Sequence, residues 1–205
     1  MMASSSSVEI SSGWDSLRAV GACPSIKWHG DAWRHHAASR QATSSLGSLM
    51  YSGRYHRGKD QFDPSECWEA LYLSLGRDIV LGELIRHLGM DGKIAVHNLR
   101  SRRISRLRLD LSNVIDCSDV VRMGIRMIDL FPEDEALEDA AYDLGQDIGS
   151  AAFILGYEAM LIPSATRLGT NLIVFPANLR PDSHIQIIDS VDPALYVPAR
   201  HGTAE

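Results

Sequence analysis

Four side chains stand out as able to do chemistry, and each has a plain structural alternative. Glu83 follows Ile79 by four residues and Val80 by three, so on a helix it shares or borders their apolar face. A carboxylate so placed lies either at the rim of the core or in a cleft. Arg54 sits in Ser52-Gly53-Arg54-Tyr55-His56, where the glycine permits unusual backbone geometry just before a guanidinium that can hold two phosphate or carboxylate oxygens at once. The alternative is an exposed loop arginine. Tyr72, in the β-prone run Ala70-Leu71-Tyr72-Leu73-Ser74, reads as a core aromatic or as a platform for a flat heterocycle. Ser164 follows Ile162-Pro163. Its flanks are not the GxSxG of a nucleophile elbow, so it reads as a turn-making or capping hydroxyl, not as a hydrolase nucleophile.

Other chemistries are disfavoured. The eight His show no HExxH or HxH spacing, and the neighbours His35 and His36 point apart on a strand, so no metal site is expected. The three Cys are widely spaced without CxxC, which suits a reducing compartment and speaks against a disulfide framework or a zinc site. GxxxxGK[ST] and GxGxxG are both absent, so a nucleotide would have to bind without those loops. With 26 acidic and 20 basic residues the formal net charge is −6, a poor basis for general nucleic-acid binding. Arg100, Arg102, Arg103, Arg106 and Arg108 form a basic run, whereas Met127 to Thr166 holds nine Asp or Glu and no Lys or Arg. The run reads as the solvated face of a strand beside an acidic helix. No stretch approaches the ~20 apolar residues of a membrane span. The start, MMASSSSVEISSG, has neither the basic start nor the apolar core of a secretory signal. A cytoplasmic protein is expected.

The elements that must position these side chains are of mixed type. Residues 1–13 read as a disordered polar tail, and 14–205 as one domain. From Trp14 to Met50 the pattern is weak, with a short helix or loop over 37–49, and 52–69 reads as a long loop. Ala70–Ser74 predicts a strand. Gly76 to His87 predicts a helix stopped by Gly89. Residues 103–116 alternate as one or two half-buried strands. Pro132 to about Leu155 predicts the clearest helix, with Leu137, Ala141, Leu144, Ile148, Ala152 and Leu155 at a period near 3.6. Strands are expected at Ala159–Ile162 and Leu172–Phe175, and a weaker one at Ile185–Ile188. The fold class is α+β.

The order of these pieces resembles the RES domain family, named for its Arg, Glu and Ser. The family's G-R-W-N signature corresponds to Gly53-Arg54-Tyr55-His56, and its A-L-Y-L-S strand to Ala70–Ser74. Its helical Glu corresponds to Glu83, eleven residues after Tyr72. Its G-Y-x-G-I-x-x-P-S-A turn corresponds to Gly156–Ala165, and its G-x-N-L-V-V-F strand to Gly169–Phe175. The resemblance implies a fold like that of diphtheria-toxin-type ADP-ribosyltransferases, with a split antiparallel sheet and flanking helices around an NAD cleft. It implies a toxin of a toxin–antitoxin pair that cleaves the nicotinamide–ribose bond of NAD with water or phosphate as acceptor. NAD is then the substrate and no cofactor is required. It also implies a helix-turn-helix antitoxin over the cleft, and often a homodimer. By this resemblance Glu83 stabilises the oxocarbenium-like ribose and Arg54, aided by Arg34, grips the dinucleotide. Tyr72 stacks on nicotinamide or ribose, Ser164 hydrogen-bonds in the cleft, and Asn171 lines it. Two other functions fit the sequence: a transferase that attaches ADP-ribose to a macromolecule, and a non-catalytic nucleic-acid module built on Arg100–Arg108. The chain departs from the family in having Tyr55-His56 for Trp-Asn, Ala159 for a second Gly, and a longer loop of eighteen residues from Arg54 to Tyr72.

Overall fold

The structure, a computed structural model, describes residues 15–87 and 99–196. The polar tail, Gly89 and the C-terminal residues after 196 lie outside the described residues. Six strands form one sheet: β1 (Ser25–Ala37), β2 (Leu71–Ser74), β3 (Arg102–Asp116), β4 (Ala159–Pro163), β5 (Thr170–Val174) and β6 (His184–Val191). The α-helices among the described residues are α1 (Ser16–Gly21), α2 (Leu46–Met50), α3 (Arg77–His87), α4 (Met127–Leu130) and α5 (Glu138–Ile154).

Strand order is β1-β2-β5-β4-β3-β6, and β1 also pairs with β3, so the sheet closes on itself as a barrel of five strands with β6 appended. The length of β3 makes this possible. One of its edges is given to β1, and the other is divided between β6 at Ile104–Asp110 and β4 at Val114–Asp116. The β3–β4 pair is parallel and the rest are antiparallel. The expected split antiparallel sheet is therefore one closed, mixed sheet. Register shifts in β1 between Ile26 and Trp28, and between β3 and β6 near Arg106, add the local twist that closure needs.

Period-two alternation divides the strands between two cores. Leu71, Leu73, Leu107, Leu109, Leu111, Leu172 and Val174 fill the barrel. On the other face Ile115, Met160, Ile162, Ile173 and Phe175 pack with Leu144, Ile148, Ala151 and Ala152 of α5. A third cluster seats Val80 and Leu84 of α3 on Ile104.

Helix α5 begins six residues later than Pro132. A 3₁₀ turn, Glu135–Leu137, precedes it and is capped by the Asp134 side chain, which competes with helix there. Its Gly145 and Gly149 are set by close approach. A Cβ on Gly149 would lie 2.1 Å from Tyr55 O, and one on Gly145 2.4 Å from Arg54 O. The Arg54–Tyr55 backbone thus lies directly on the helix. Gly149→Ala, though better suited to a helix, is expected to lower Tm by roughly 3–10 °C, because the loop or the helix must shift. A thermal melt checks this, and an unchanged or raised Tm would show that the loop yields freely. The rest of the long loop is also anchored. Arg57 lies over the Phe62 ring at 4.8 Å and pairs with Asp147 of α5 at 3.2 Å and with Glu66 at 3.6 Å.

Candidate functional site

On the α5-facing side of the barrel, alternation brings Tyr72 and Ser74 of β2, Asn171 of β5 and the residue just after β4, Ser164, to one face. The register pairs Ser74 with Asn171, and Asn171 with Ile162. Helix α3 crosses this face and lowers Glu83 onto it. The either-or of the sequence resolves here: Ile79, Val80 and Leu84 are buried while Glu83, half-buried among them, points to polar partners.

Glu83 Oε1 accepts from Ser164 Oγ at 2.6 Å and from Asn171 Nδ2 at 3.1 Å. Among the described residues its other oxygen has no hydrogen-bond partner, so it is open to a ligand. Ser164 is fully buried, and its hydroxyl accepts from Thr166 N at 3.2 Å. With its proton spent on Glu83, Ser164 takes the Thr166 hydroxyl, 2.8 Å away, as a second donor. A serine whose proton is given to an anchoring bond positions a carboxylate and is a poor nucleophile. Asn171 is fixed in turn, because Ser74 Oγ donates to its Oδ1 at 3.0 Å and so leaves Nδ2 facing Glu83. The order Ser74–Asn171–Glu83–Ser164–Thr166 is a continuous network. Ser74 and Thr166 were not singled out from sequence, although Ser74 closes the Ala70–Ser74 run.

Arg54 occupies a separate wall. Its Nη1 donates to Leu130 O at 2.7 Å, and the guanidinium lies over the rings of Tyr142 at 4.5 Å and Phe131 at 5.2 Å. No carboxylate pairs with it among the described residues, so its charge is available to an anion. The next residue along, Phe131, gives its carbonyl to Arg167 Nη2 at 2.8 Å. Leu130-Phe131 therefore bridges Arg54 to the turn that carries Ser164. In that turn Arg167 holds a left-handed φ of 58°. Arg54 and Glu83 both act electrostatically on the buried Tyr55 hydroxyl, which burial pushes far above its usual range.

Tyr72 lies between these walls. Its hydroxyl accepts from Tyr55 N at 3.0 Å and meets His56 Nδ1 at 2.8 Å, and its ring stacks on Tyr55 with centroids 6.5 Å apart. His56 Nε2 faces Tyr51 O at 2.8 Å and so carries the ring proton, which makes Tyr72 the donor to Nδ1. Burial lowers the pKa of His56, in keeping with a neutral ring. His56, in the place of the family's Asn, thus orients Tyr72.

Arg34 is not brought into this network. Its Nη1 donates to Ala42 O at 2.6 Å and Ser44 O at 2.7 Å, so it staples the segment after β1. Burial pulls its pKa down to about 10, which still leaves it charged at neutral pH. Three arginines of the basic run, all on β3, are ion-paired. Arg108 pairs with Asp31 at 2.8 Å, Arg106 with Asp189 at 2.9 Å, and Arg103 with Asp192 at 3.9 Å. These partners come from β1 and the β6 region, not from the acidic helix expected from sequence. A separate depression of about 540 Å³ lies at α2, lined by Arg40, Gln41, Ser44, Leu46, Met50 and Tyr51, and shares none of the site residues. Among the described residues no group of three His, Cys, Asp or Glu could hold a metal ion, and no helix is long and apolar enough to cross a membrane.

The chain is similar to known proteins over most of its length. NAD(+) phosphorylase MbcT from Mycobacterium bovis and from Mycobacterium tuberculosis is 24% identical over 190 residues, covering 90% of this chain and 94% of the relative. The crystal structure of the M. tuberculosis MbcT–MbcA toxin–antitoxin complex matches with a TM-score of 0.70 at 23% identity, covering 90% of this chain and 97% of that one. The RES domain profile matches residues 31–195, a span that takes in Arg54, Glu83 and Ser164 together, and the chain belongs to the RES domain family.

Proposed function

We propose that this protein degrades NAD by cleaving the bond between nicotinamide and ribose. The observation that carries the reading is the Glu83 carboxylate, with one oxygen anchored by Ser164 and Asn171 and the other open, in a member of the RES family. Nicotinamide in NAD is already cationic and leaves as a neutral ring, so the ribose develops oxocarbenium character as the bond breaks. A fixed carboxylate facing that ribose stabilises the charge. Arg54, with no carboxylate partner among the described residues, grips the pyrophosphate or the nicotinamide end, and Tyr72 offers its ring to nicotinamide or ribose. Asn171 and Ser164 line the cleft through their hold on Glu83, and Arg34 supports its border by fixing the segment after β1. NAD is the substrate in this scheme, and no cofactor is needed.

The acceptor is water or phosphate, and the name of the mycobacterial relatives favours phosphate. Hydrolysis releases ADP-ribose, whereas phosphorolysis releases ADP-ribose carrying a new phosphate on the ribose carbon that held nicotinamide. Incubation with NAD, with and without phosphate, tests the reading by nicotinamide release and product mass. Intact NAD under both conditions would overturn it. The ion pairs along Arg103–Arg108 weigh against a nucleic-acid module. Radiolabel from NAD retained on protein would support the transferase reading instead.

The finer features follow the same reading. The barrel is a variant of the diphtheria-toxin-type ADP-ribosyltransferase fold. The protein is a cytoplasmic toxin whose cleft is covered by an antitoxin of helix-turn-helix type, and it assembles as a homodimer. Ser74 is a positioning residue, since it fixes which end of the Asn171 amide faces Glu83. Ser74→Ala is expected to lower kcat roughly 10-fold with little change in KM, through a misplaced carboxylate, and Ser74→Thr to restore it. A matched fall in the Asn171→Ala background would show that Ser74 does not act through Asn171.

A further inference from the structure

Cys23 and Cys117 are 94 residues apart in sequence. The β1–β3 ladder pairs Ile26 with Val114 and Ser25 with Ile115. One step beyond it, Asp116 N–H donates to Pro24 O at 2.8 Å. Carried past the strand ends, the same register would set Cys23 opposite Cys117. Because Pro24–Asp116 is the hydrogen-bonded step, the cysteines fall on the next, non-bonded step, where Cα atoms of antiparallel strands are about 4.5 Å apart. That lies within the range of about 4.4–6.8 Å that a disulfide spans. Both side chains belong to the same buried cluster and both are free thiols, the Cys23 S–H lying 3.8 Å from Ala19 O. The backbone is fixed on each side: Cys23 N–H donates to Val20 O and Cys117 N–H to Leu161 O, each at 2.9 Å.

We propose that Cys23 and Cys117 are an oxidation site, a dithiol that hydrogen peroxide closes into a disulfide between the end of α1 and the end of β3. The two thiols are unequal. The neighbouring Cys117 thiol pulls the Cys23 thiol below its usual pKa of 9.0, while Cys23 and burial push Cys117 up. Cys23, 6% exposed against 0% for Cys117, is the sulfur that peroxide meets. Its thiolate attacks the O–O bond, giving Cys23 sulfenic acid and, with one proton, water. The Cys117 sulfur then attacks the sulfenic sulfur, the S–S bond forms, and hydroxide leaves with the Cys117 proton as a second water. Two thiols and one peroxide become one disulfide and two waters. The bridge clips the point from which the segment carrying Leu130 and Phe131 leaves the barrel. Cys67, on the long loop with its S–H 3.2 Å from Asp63 O, has no part in it.

The test is to treat the full-length Cys67→Ser protein with stoichiometric hydrogen peroxide, then alkylate under denaturing conditions, map peptides and melt the sample. The expected result is a 23–117 linked peptide, no alkylated thiol and a Tm raised by about 5–15 °C, as closing a long loop should do, all reversed by dithiothreitol. Cys23→Ser should leave Cys117 reduced under the same treatment. Overturning results are Cys23 over-oxidised without a link, intermolecular links in place of the internal one, both thiols still alkylated, or a linked protein whose Tm does not rise. None of these readouts depends on NAD turnover.

Discussion

Glu83→Gln is expected to slow NAD consumption by about 10²–10³-fold while leaving Tm within a few degrees of wild type. The amide is nearly isosteric with the carboxylate, and its oxygen can still accept from Ser164 Oγ and Asn171 Nδ2, the two bonds that hold Oε1. What it cannot do is place negative charge beside a ribose that is becoming cationic. That charge exists only near the transition state, so the loss belongs in kcat and KM should change little. Nicotinamide release and a thermal melt on the same preparation check both halves. Equal turnover would remove Glu83 from the chemistry. A large fall in Tm with proportionate loss of activity would make it a structural rim residue. Glu83→Ala is the less clean probe, because it orphans the Ser164 and Asn171 donors.

The site separates holding from reacting. Ser164, Asn171, Ser74 and Thr166 spend their polar atoms on one another and on Glu83 Oε1. Arg54 is held by one carbonyl and two aromatic faces, none of which neutralises it. A cation seated on ring faces keeps its field in a partly desolvated wall, where an anionic phosphate gains most from it. Among the described residues the Glu83 carboxylate and the Arg54 guanidinium form no ion pair, so neither neutralises the other.

Local pattern carried much of this into view from sequence. Strand β2, helix α3, strands β3 to β6 and the centre of α5 follow from alternation or from a stripe near 3.6. Strand β1 did not show, although it is 13 residues long. Its apolar residues Ile26, Trp28 and Ala32 alternate with Lys27, His29 and Asp31 and face the barrel core, but Gly30 interrupts the apolar set, and His29 and Asp31 between are paired across the sheet with Asp110 and Arg108. The resemblance gives Arg34 the part of aiding Arg54, whereas the carbonyls of Ala42 and Ser44 that it holds lie eight and ten residues further on, where local pattern gives no hint of contact. Barrel closure was equally hidden, since it depends on one residue pair, Trp33 with Ser74, between distant segments. The three scattered Cys read as unrelated because register across the β1–β3 ladder, not sequence spacing, makes two of them neighbours.

Glu158 received no role from sequence, yet its loss is expected to be the most damaging to the fold. It is completely buried without a basic partner among the described residues. Its Oε2 accepts from Ser112 N and Asn113 N, each at 2.8 Å, and from Ser112 Oγ at 3.0 Å; its Oε1 accepts from Arg180 N at 2.9 Å and from Ser183 Oγ. One carboxylate thereby ties β3 to the start of β4 and to the turn before β6. Glu158→Ala strands five donors in the interior and should cost about 3–5 kcal/mol, a Tm lower by roughly 10 °C or more. The pH dependence tests the charge itself. Burial pushes the carboxyl up, but the bonds from Ser183, Arg180, Ser112 and Asn113 outweigh it and hold the pKa below its ordinary 4.5. A group depressed in the fold contributes stability that is fully present above 4.5 and is lost as pH falls through its folded value. Melts of wild type and Glu158→Gln at pH 7 and at successive steps below pH 4.5 should therefore converge as acid is added. A gap in Tm that stays constant down to the lowest pH would mean that these donors recognise the shape of the side chain and not its charge.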